Sequence, residues 1–181
     1  MAQIITISGM LGSGKSTVSK MLAEKLGYEY YSTGMAFRNL AEKKGITVIE
    51  LNQLSFQDLS IDQEIDSSFA QLAQQNISYV IDSRLAFFFV PTSLKIKLDV
   101  DINVAGRRIF EDKCRTQEQH YQTLAEATAA LAKRRALEVT RWLELYGVNI
   151  EDLKNFDLII DSTNKTPEQI CAEIIAHCNL L

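Results

Sequence analysis

Residues 3–26 read QIITISGMLGSGKSTVSKMLAEKL, and this stretch decides the fold. The apolar, β-branched run over 3–8 predicts a strand buried on both faces. The next residues, Gly9-Met10-Leu11-Gly12-Ser13-Gly14-Lys15-Ser16, fit the pattern G-x-x-x-x-G-K-[ST]. A helical segment over 15–26 follows directly. A strand, a glycine-rich loop and a helix in this order predict a loop that binds phosphate groups.

Each residue type in the loop has a chemical reason. Glycines let successive backbone N–H groups turn inward around an anion, and the helix directs the positive end of its dipole to the same point. Lys15 would neutralise the β and γ phosphates, and the Ser16 hydroxyl is a hard oxygen ligand suited to Mg²⁺. We therefore predict a bound nucleoside triphosphate with Mg²⁺. The residues assigned to it are Gly9, Met10, Leu11, Gly12, Ser13, Gly14, Lys15, Ser16 and Thr17.

Short β-prone runs alternate with helical segments along the rest of the chain. Strands are predicted over 3–8, 28–32, 77–83, 94–100 and 156–161, and helices over 15–26, 34–45, 61–75, 102–114, 120–146 and 167–178. This alternation predicts an α/β fold, a doubly wound, five-stranded parallel sheet in a single domain of residues 1–181. Residues 46–76 and about 105–145 supply more helix than simple crossovers need, so we expect two inserted helical segments there.

Charge and composition limit the classes of function. The chain has 19 basic and 23 acidic residues, a net charge of −4, which disfavours a nucleic-acid-binding protein. Between Arg107 and Arg141, however, basic residues outnumber acidic ones by eight to five. This basic island suits a compact polyanion such as a nucleotide, and it equally fits a solvated helix surface.

The chain is expected to act in the cytoplasm and to have no membrane partner. No apolar run approaches the roughly 20 residues that a bilayer requires, and the first residues lack the features of a secretion signal. Cys114, Cys171 and Cys178 are odd in number and none lies in a CxxC pair, so we predict free thiols and no structural zinc.

Polar residues follow the second and third predicted strands, and the carboxyl ends of parallel strands carry ligands in such folds. Ser32 and Thr33 could cap a helix or contact a ligand, and Arg38, one turn later, could reach a phosphate. Asp82 is a candidate for holding a water molecule on Mg²⁺. Arg84 is a candidate phosphate clamp, although it could equally cap backbone carbonyl groups or pair with a neighbouring residue.

Arg134, Glu138 and Arg141 share one stripe of the helix predicted over 120–146. They could form an ordinary surface ion pair. Alternatively, two guanidinium groups at the mouth of a phosphate-binding crevice would stabilise the charge that spreads during phosphoryl transfer.

With these motifs the chain resembles the nucleoside monophosphate kinases, and among them the short, archaeal-type cytidylate kinases. The resemblance extends from TISGMLGSGKSTVSKMLAEKLGYEYYSTGMAFR through IDQEID and VIDSRLA to LYGVNIEDLKNFDLIIDST. It implies transfer of the γ-phosphoryl group of Mg-ATP to CMP or dCMP, with residues 46–76 binding the monophosphate and residues 105–145 acting as a lid. We expect small-molecule partners only, and a monomer.

The resemblance also implies roles for single residues. Ser32, Arg38 and Arg84 would bind CMP, and Asp62 and Asp66 would line the monophosphate-binding helices. Arg108, Arg134 and Arg141 would close over the transferring phosphate, and the turn at 162–165 would lie beside the ATP base. The acceptor phosphate is already an anion at pH 7, so neither His120 nor His177 is needed as a base.

Three departures from the family pattern bear on the lid, at position 105, and on the choice of acceptor base, at positions 87–89. Ala105 stands where an arginine is common, Ser83 replaces a glycine, and Phe87-Phe88-Phe89 is bulky for its place beside the site. AMP, UMP or shikimate could therefore be the acceptor. A binding or regulatory protein that responds to ATP without transferring phosphate is the alternative from another class.

Overall fold

The computed structural model describes residues 3–55, 58–112 and 121–178. Five strands form one sheet in which every neighbouring pair is parallel. The strands are β1 (Ile4–Gly9), β2 (Glu29–Ser32), β3 (Tyr79–Asp82), β4 (Leu94–Asp99) and β5 (Leu158–Asp161). Their order across the sheet is β2-β3-β1-β4-β5. The doubly wound α/β fold predicted from the sequence is confirmed.

Helices connect the strands and cover both faces of the sheet. They are α1 (Lys15–Leu26), α2 (Thr33–Lys44), α3 (Val48–Ser55), α4 (Leu59–Leu72), α5 (Ala86–Phe89), α6 (Ile102–Glu111), α7 (Leu124–Tyr146) and α8 (Pro167–Cys178), with a 3₁₀ turn at Leu153–Asn155. The predicted helix over 102–114 ends at Glu111, and the one over 120–146 is described from Leu124. Cys114 and His120 lie outside the described residues.

The core explains why β1 lies at the centre of the sheet. All six of its residues are buried, as a β-branched strand covered on both faces should be. Ile5 and Ile7 pack with α1 and α8 on one face, and Ile4 packs with Phe69 of α4 on the other. The sheet is therefore a rigid platform whose carboxyl edge carries the loops.

Helices α6 and α7 form a closely packed pair. A Cβ atom built on Gly106 would lie 2.2 Å from Thr128 Oγ1 and 3.1 Å from Thr128 Cα. Position 106 therefore needs glycine, since any side chain would push the two helices apart. Much of the segment predicted as a lid is thus a helix pair in firm contact.

Three findings bear on the predictions about a membrane partner, the cysteines and His177. Within the three described ranges, no helix is long and apolar enough to cross a membrane. Cys171 is buried against Val18, and Cys178 lies in the last turn of α8; both are free thiols. His177 lines a cavity at the amino ends of the strands together with Gln3 and Asp157, at the edge of the sheet opposite the phosphate loop.

Candidate active site

The phosphate loop runs from Gly9 at the end of β1 to Lys15 at the start of α1. Gly12 has a φ of +83°, a conformation that favours glycine, and a Cβ atom there would lie 2.7 Å from the carbonyl oxygen of Ala105. The loop is therefore supported from below by α6. Ala105 is fully buried in this contact, so it packs against the loop and does not line the crevice.

Lys15, at the start of α1, lies close to Asp82, at the end of β3. Asp82 ends β3, its register partner on β1 is Ile7, and its Oδ1 atom lies 3.9 Å from Lys15 Nζ. Tyr30 donates a hydrogen bond of 3.2 Å to Asp82 Oδ2. Burial, reinforced by the Asp82 charge, raises the pKa of Tyr30 to about 12, so the phenol keeps its proton.

Asp82 and Ser16 fit the chemistry of a magnesium site. The Asp82 side chain is buried, and its Oδ1 atom has no hydrogen-bond partner among the described residues. The Ser16 residue is exposed in the first turn of α1. No group of three or more His, Cys, Asp or Glu side chains in the described residues could hold a metal ion. One hydroxyl and one carboxylate suit an ion that keeps several waters and binds substrate phosphates.

A cavity of about 210 Å³ lies beside the phosphate loop. Its lining residues are Leu11, Gly12, Gly14, Lys15, Ser16, Thr17, Arg108 and Asp112. Most of the residues assigned to the nucleotide therefore share one cavity. Met10 and Ser13 are buried beneath the loop instead, where Met10 packs with Val100 and Leu131.

Arg108 connects the phosphate loop to the turn after β5. Its guanidinium group donates hydrogen bonds to Gly12 O (3.2 Å), Ser162 O (2.8 Å) and Thr163 O (3.2 Å). Ser162 in turn donates to Ser13 O at 2.9 Å. Arg108 thus lies against the phosphate loop, apart from Arg134 and Arg141, with which the family resemblance grouped it.

The start of α2 contributes to the same edge of the sheet. The Ser32 hydroxyl accepts a hydrogen bond from Met35 N at 3.2 Å and so caps the helix. Thr33 is the first residue of α2 and is half-buried. Arg38 is exposed and folds back toward Gly34, with its NH1 atom 3.6 Å from the Cβ position of that glycine. A charged guanidinium group therefore lies near the carboxyl end of β2.

Glu138 joins α7 to the end of β3. Its Oε2 atom lies 3.0 Å from Arg84 Nε, and its Oε1 atom accepts from Arg134 Nε at 3.0 Å. The sequence placed Arg134 and Arg141 on either side of Glu138. The structure shows that Glu138 pairs with Arg134 and Arg84. Glu138 faces the end of β3, whereas Arg141, one turn later on α7, contacts Asp62 of α4.

Arg141 and Tyr146 connect α7 to α4. Arg141 forms an ion pair with Asp62, and Tyr146 donates a hydrogen bond of 2.8 Å to Asp66. Burial raises the pKa of Asp66 to about 6, and burial also raises the pKa of Asp62, although the Arg141 guanidinium acts in the opposite direction. Helices α4 and α7 therefore meet through two buried carboxylates.

The three departures noted in the sequence have structural explanations. Ser83 accepts a hydrogen bond from Leu85 N and shapes the turn after β3. Phe87 is buried against Phe156, with ring centroids 4.7 Å apart, and Phe89 packs on Tyr146 at 5.2 Å. Phe87 is therefore a core residue, Phe89 is partly buried beneath α7, and Phe88 is 41% exposed.

Several residues at the site were not found from the sequence. Tyr30 and Tyr146 bind the predicted carboxylates, and a buried lysine on β4, Lys97, forms an ion-paired group with Arg135 and Glu151 next to Met10. A lysine within the apolar strand LKIKLDV is the one local signal that could have indicated this group.

The fold and this site define a P-loop kinase. A family model described as the cytidylate kinase-like family matches residues 4–164. The chain belongs to the cytidylate kinase-like family. It is accordingly an ATP-dependent phosphotransferase of the nucleoside monophosphate kinase class.

Similar proteins are found over nearly the whole chain. A cytidylate kinase of Natronomonas pharaonis is 34% identical over 178 residues, covering 97% of this chain and 89% of that protein. One from Sulfurisphaera tokodaii is 32% identical over 180 residues, covering 98% and 96%.

Solved structures share the fold at low sequence identity. An uncharacterized protein from Eubacterium ventriosum superimposes with a TM-score of 0.72 at 19% identity, covering 98% of both chains. Shikimate kinase from Aquifex aeolicus gives a TM-score of 0.62 at 16% identity, covering 98% of this chain and 96% of that one.

Proposed function

We propose that the protein transfers the γ-phosphoryl group of Mg-ATP to CMP or dCMP, giving ADP and the nucleoside diphosphate. The observation that supports the proposal is that the phosphate loop and a group of arginines lie at the same edge of the sheet. The phosphate loop with Lys15 forms the donor site. The residues Arg38, Arg84, Arg134 and Arg141 lie at the ends of β2 and β3 and on the facing helix α7.

In the donor site, Lys15 would neutralise the β and γ phosphates, and the backbone N–H groups of the loop would bind the remaining oxygens. Arg108 would hold the loop against the 162–163 turn, where the ATP base is proposed to lie. Mg²⁺ would be held by Ser16 and, through water, by Asp82, and would screen the phosphate charges during transfer.

In the acceptor site, an oxygen of the acceptor phosphate forms a bond to the γ-phosphorus while the bond from that phosphorus to the β–γ bridging oxygen breaks. The acceptor is already anionic, so no protein base is needed. Arg38 and Arg84 would bind the acceptor, and Arg134 and Arg141 would stabilise the charge on the transferring group.

The carboxylates of the acceptor site have a second proposed role. Asp62 and Glu138 already pair with Arg141, Arg84 and Arg134, so these guanidinium groups are held in place before the acceptor arrives. Asp66, Ser32 and Thr33 are proposed to line the same acceptor site. All of these residues belong to the same chain. The monomeric state and the cytoplasmic location remain predictions from the sequence.

A coupled assay of ADP release tests the proposal. The wild-type protein is incubated with Mg-ATP and, separately, CMP, dCMP, AMP, UMP or shikimate. We expect ADP in proportion to CMP or dCMP and little with the others. ADP in proportion to AMP, UMP or shikimate would reassign the acceptor. ADP at the same low rate with every acceptor, despite tight ATP binding, would instead indicate a nucleotide-responsive binding protein.

A further inference from the structure

Lys97 is a buried cation for which the proposed reaction has no use. It lies on β4, a central strand, opposite Ser8 of β1, and only 4% of its surface is exposed. An ammonium group is expensive to bury unless it is paired and hydrogen-bonded. The residues that pair with Lys97 therefore indicate its role.

Those partners lie on the turn before the 3₁₀ helix. Lys97 Nζ donates to Ile150 O at 3.2 Å and to Glu151 Oε2 at 3.0 Å, and it lies 5.4 Å from the centroid of the Phe156 ring. The Glu151 backbone is itself fixed, because its N–H group donates to Asn149 Oδ1 at 3.0 Å. Lys97 thus anchors Glu151 at a defined place above the sheet.

Glu151 then binds Arg135 of α7 with both carboxylate oxygens. Arg135 Nε lies 3.2 Å from Oε1, and Arg135 NH2 lies 2.5 Å from Oε2. This two-point geometry fixes the orientation of the guanidinium plane, which a single contact would not do. Burial would raise the pKa of Glu151, but the hydrogen bonds from Arg135 and Lys97 lower it, so the carboxylate stays charged.

The same arginine contacts the phosphate loop. Arg135 NH1 lies 3.6 Å from Met10 Sδ, and Met10 is buried against Ala105 and Leu131 of the α6–α7 pair. A chain of contacts therefore runs from β4 through Glu151 to α7 and the loop. The neighbouring residue on α7, Arg134, is the one that binds Glu138.

We propose that Glu151 is a positioning residue for phosphoryl transfer. By fixing Arg135 between Lys97 and the phosphate loop, it sets the rotation and height of α7 above the donor site. Successive helical residues differ by about 100° in direction, so the orientation of Arg135 also fixes the direction of Arg134. An error of about 1 Å in such a placement can reduce the rate on the order of 100-fold. The inference rests on the proposed role of α7 in the transfer.

The test uses Glu151→Gln, Arg135→Gln and the double variant in the full chain. Glu144→Gln is the matched control, because it removes an exposed carboxylate charge on α7, the helix that carries Arg135. For each protein, kcat and KM are measured with Mg-ATP and CMP, the Kd of a non-hydrolysable ATP analogue is measured by calorimetry, and thermal unfolding shows whether the chain is folded.

We expect Glu151→Gln and Arg135→Gln each to lower kcat about tenfold or more, while the Kd of the ATP analogue changes less than about twofold. Because the two residues act as one unit, the double variant should be no more than about twofold slower than the slower single variant. Glu144→Gln should match the wild-type kcat.

If Glu151→Gln fails to fold, Arg135→Gln still tests the inference. Arg135 is more exposed than Glu151, and replacing it leaves Glu151 paired with Lys97. A lower melting temperature with unchanged kcat per folded molecule, in whichever variants fold, would assign the group a purely structural role and overturn the inference. Failure of the wild-type protein to release ADP with any monophosphate would instead defeat the proposed function itself.

Discussion

Lys15 Nζ lies 3.9 Å from Asp82 Oδ1, where the phosphate loop faces the end of β3. Both side chains are largely shielded from solvent, with 13% and 6% of their surfaces exposed. In this position, the ammonium group can neutralise a phosphate from within the crevice and the carboxylate can hold a metal-bound water. The pair therefore places an ammonium group and a carboxylate side by side next to the phosphate loop, as the proposed transfer from Mg-ATP requires.

Lys15→Ala should reduce turnover on the order of 1,000-fold or more, about 4 kcal/mol of barrier, because the ammonium group would neutralise the β and γ phosphates and Arg108 in the same cavity is already bonded to backbone carbonyl groups. Steady-state ADP release with CMP measures the effect. Lys25→Ala, at the exposed far end of α1, is the control and should retain wild-type turnover. Turnover of Lys15→Ala within tenfold of wild type would remove this lysine from the donor site.

Arg38→Ala should act on the acceptor only. Loss of a charge-assisted hydrogen bond to phosphate weakens binding by about 1.5–3 kcal/mol, so we expect the KM for CMP to rise at least about tenfold. The KM for ATP should change less than about twofold, since Arg38 lies on α2 and does not line the loop cavity. Lys43→Ala, an exposed residue of α2 paired with Glu64, is the control. Equal weakening of both substrates would contradict the assignment.

Local sequence signals were sufficient for the sheet and for the position of the phosphate loop between β1 and α1. The bounds of α1 were predicted over 15–26 and observed as Lys15–Leu26, because glycines at 14 and 27 stand at its two ends. Pro167 likewise marks the start of α8. The residues of the phosphate loop are consecutive in the sequence, so one short stretch is enough to predict the loop.

The acceptor side could be predicted only in part. Arg134 and Glu138 are four residues apart on one helix, and their contact follows from helical spacing. The partners of Arg141 and Tyr146 are 79 and 80 residues away, and nothing in the spacing along α7 shows which carboxylate each one reaches. Such contacts depend on how α4 and α7 pack, and that is determined by the whole core.

Gly106→Ala should destabilise the protein by about 2 kcal/mol, the usual size of an overpacking effect. The added methyl group would meet Thr128 Oγ1 and the Thr128 backbone, so α6 and α7 must separate. The midpoint of urea unfolding measures the change. Thr128→Ala in the same chain removes the closest atom and should restore part of the loss.

Gly34→Ala is the matched control for this prediction. Position 34 is also helical, and its nearest contact would be 3.6 Å away, an ordinary packing distance. Alanine should be neutral or slightly stabilising there. An equal loss of stability in both variants would show that the α6–α7 contact is not the cause.

Asp66→Asn should stabilise the protein at high pH and not at low pH. Burial raises the pKa of Asp66 from an ordinary value of 3.8 to about 6, so the folded state disfavours the ionised carboxylate. Below about pH 4 the group is protonated in both the folded and unfolded states, and it has no effect on stability. Between about pH 4 and pH 6 the unfolded state loses its proton first, so the wild-type protein becomes less stable as the pH rises.

Above pH 6 the full penalty, up to roughly 3 kcal/mol, would apply to the wild type and be absent in Asp66→Asn, whose amide oxygen can still accept the Tyr146 hydrogen bond. Urea unfolding of both proteins from pH 4 to pH 8 measures the difference. Glu24→Gln, an exposed site on α1, should show no such dependence. A difference between wild type and Asp66→Asn that stays constant across this range would mean that Asp66 titrates normally, and that the α4–α7 contact accommodates its charge.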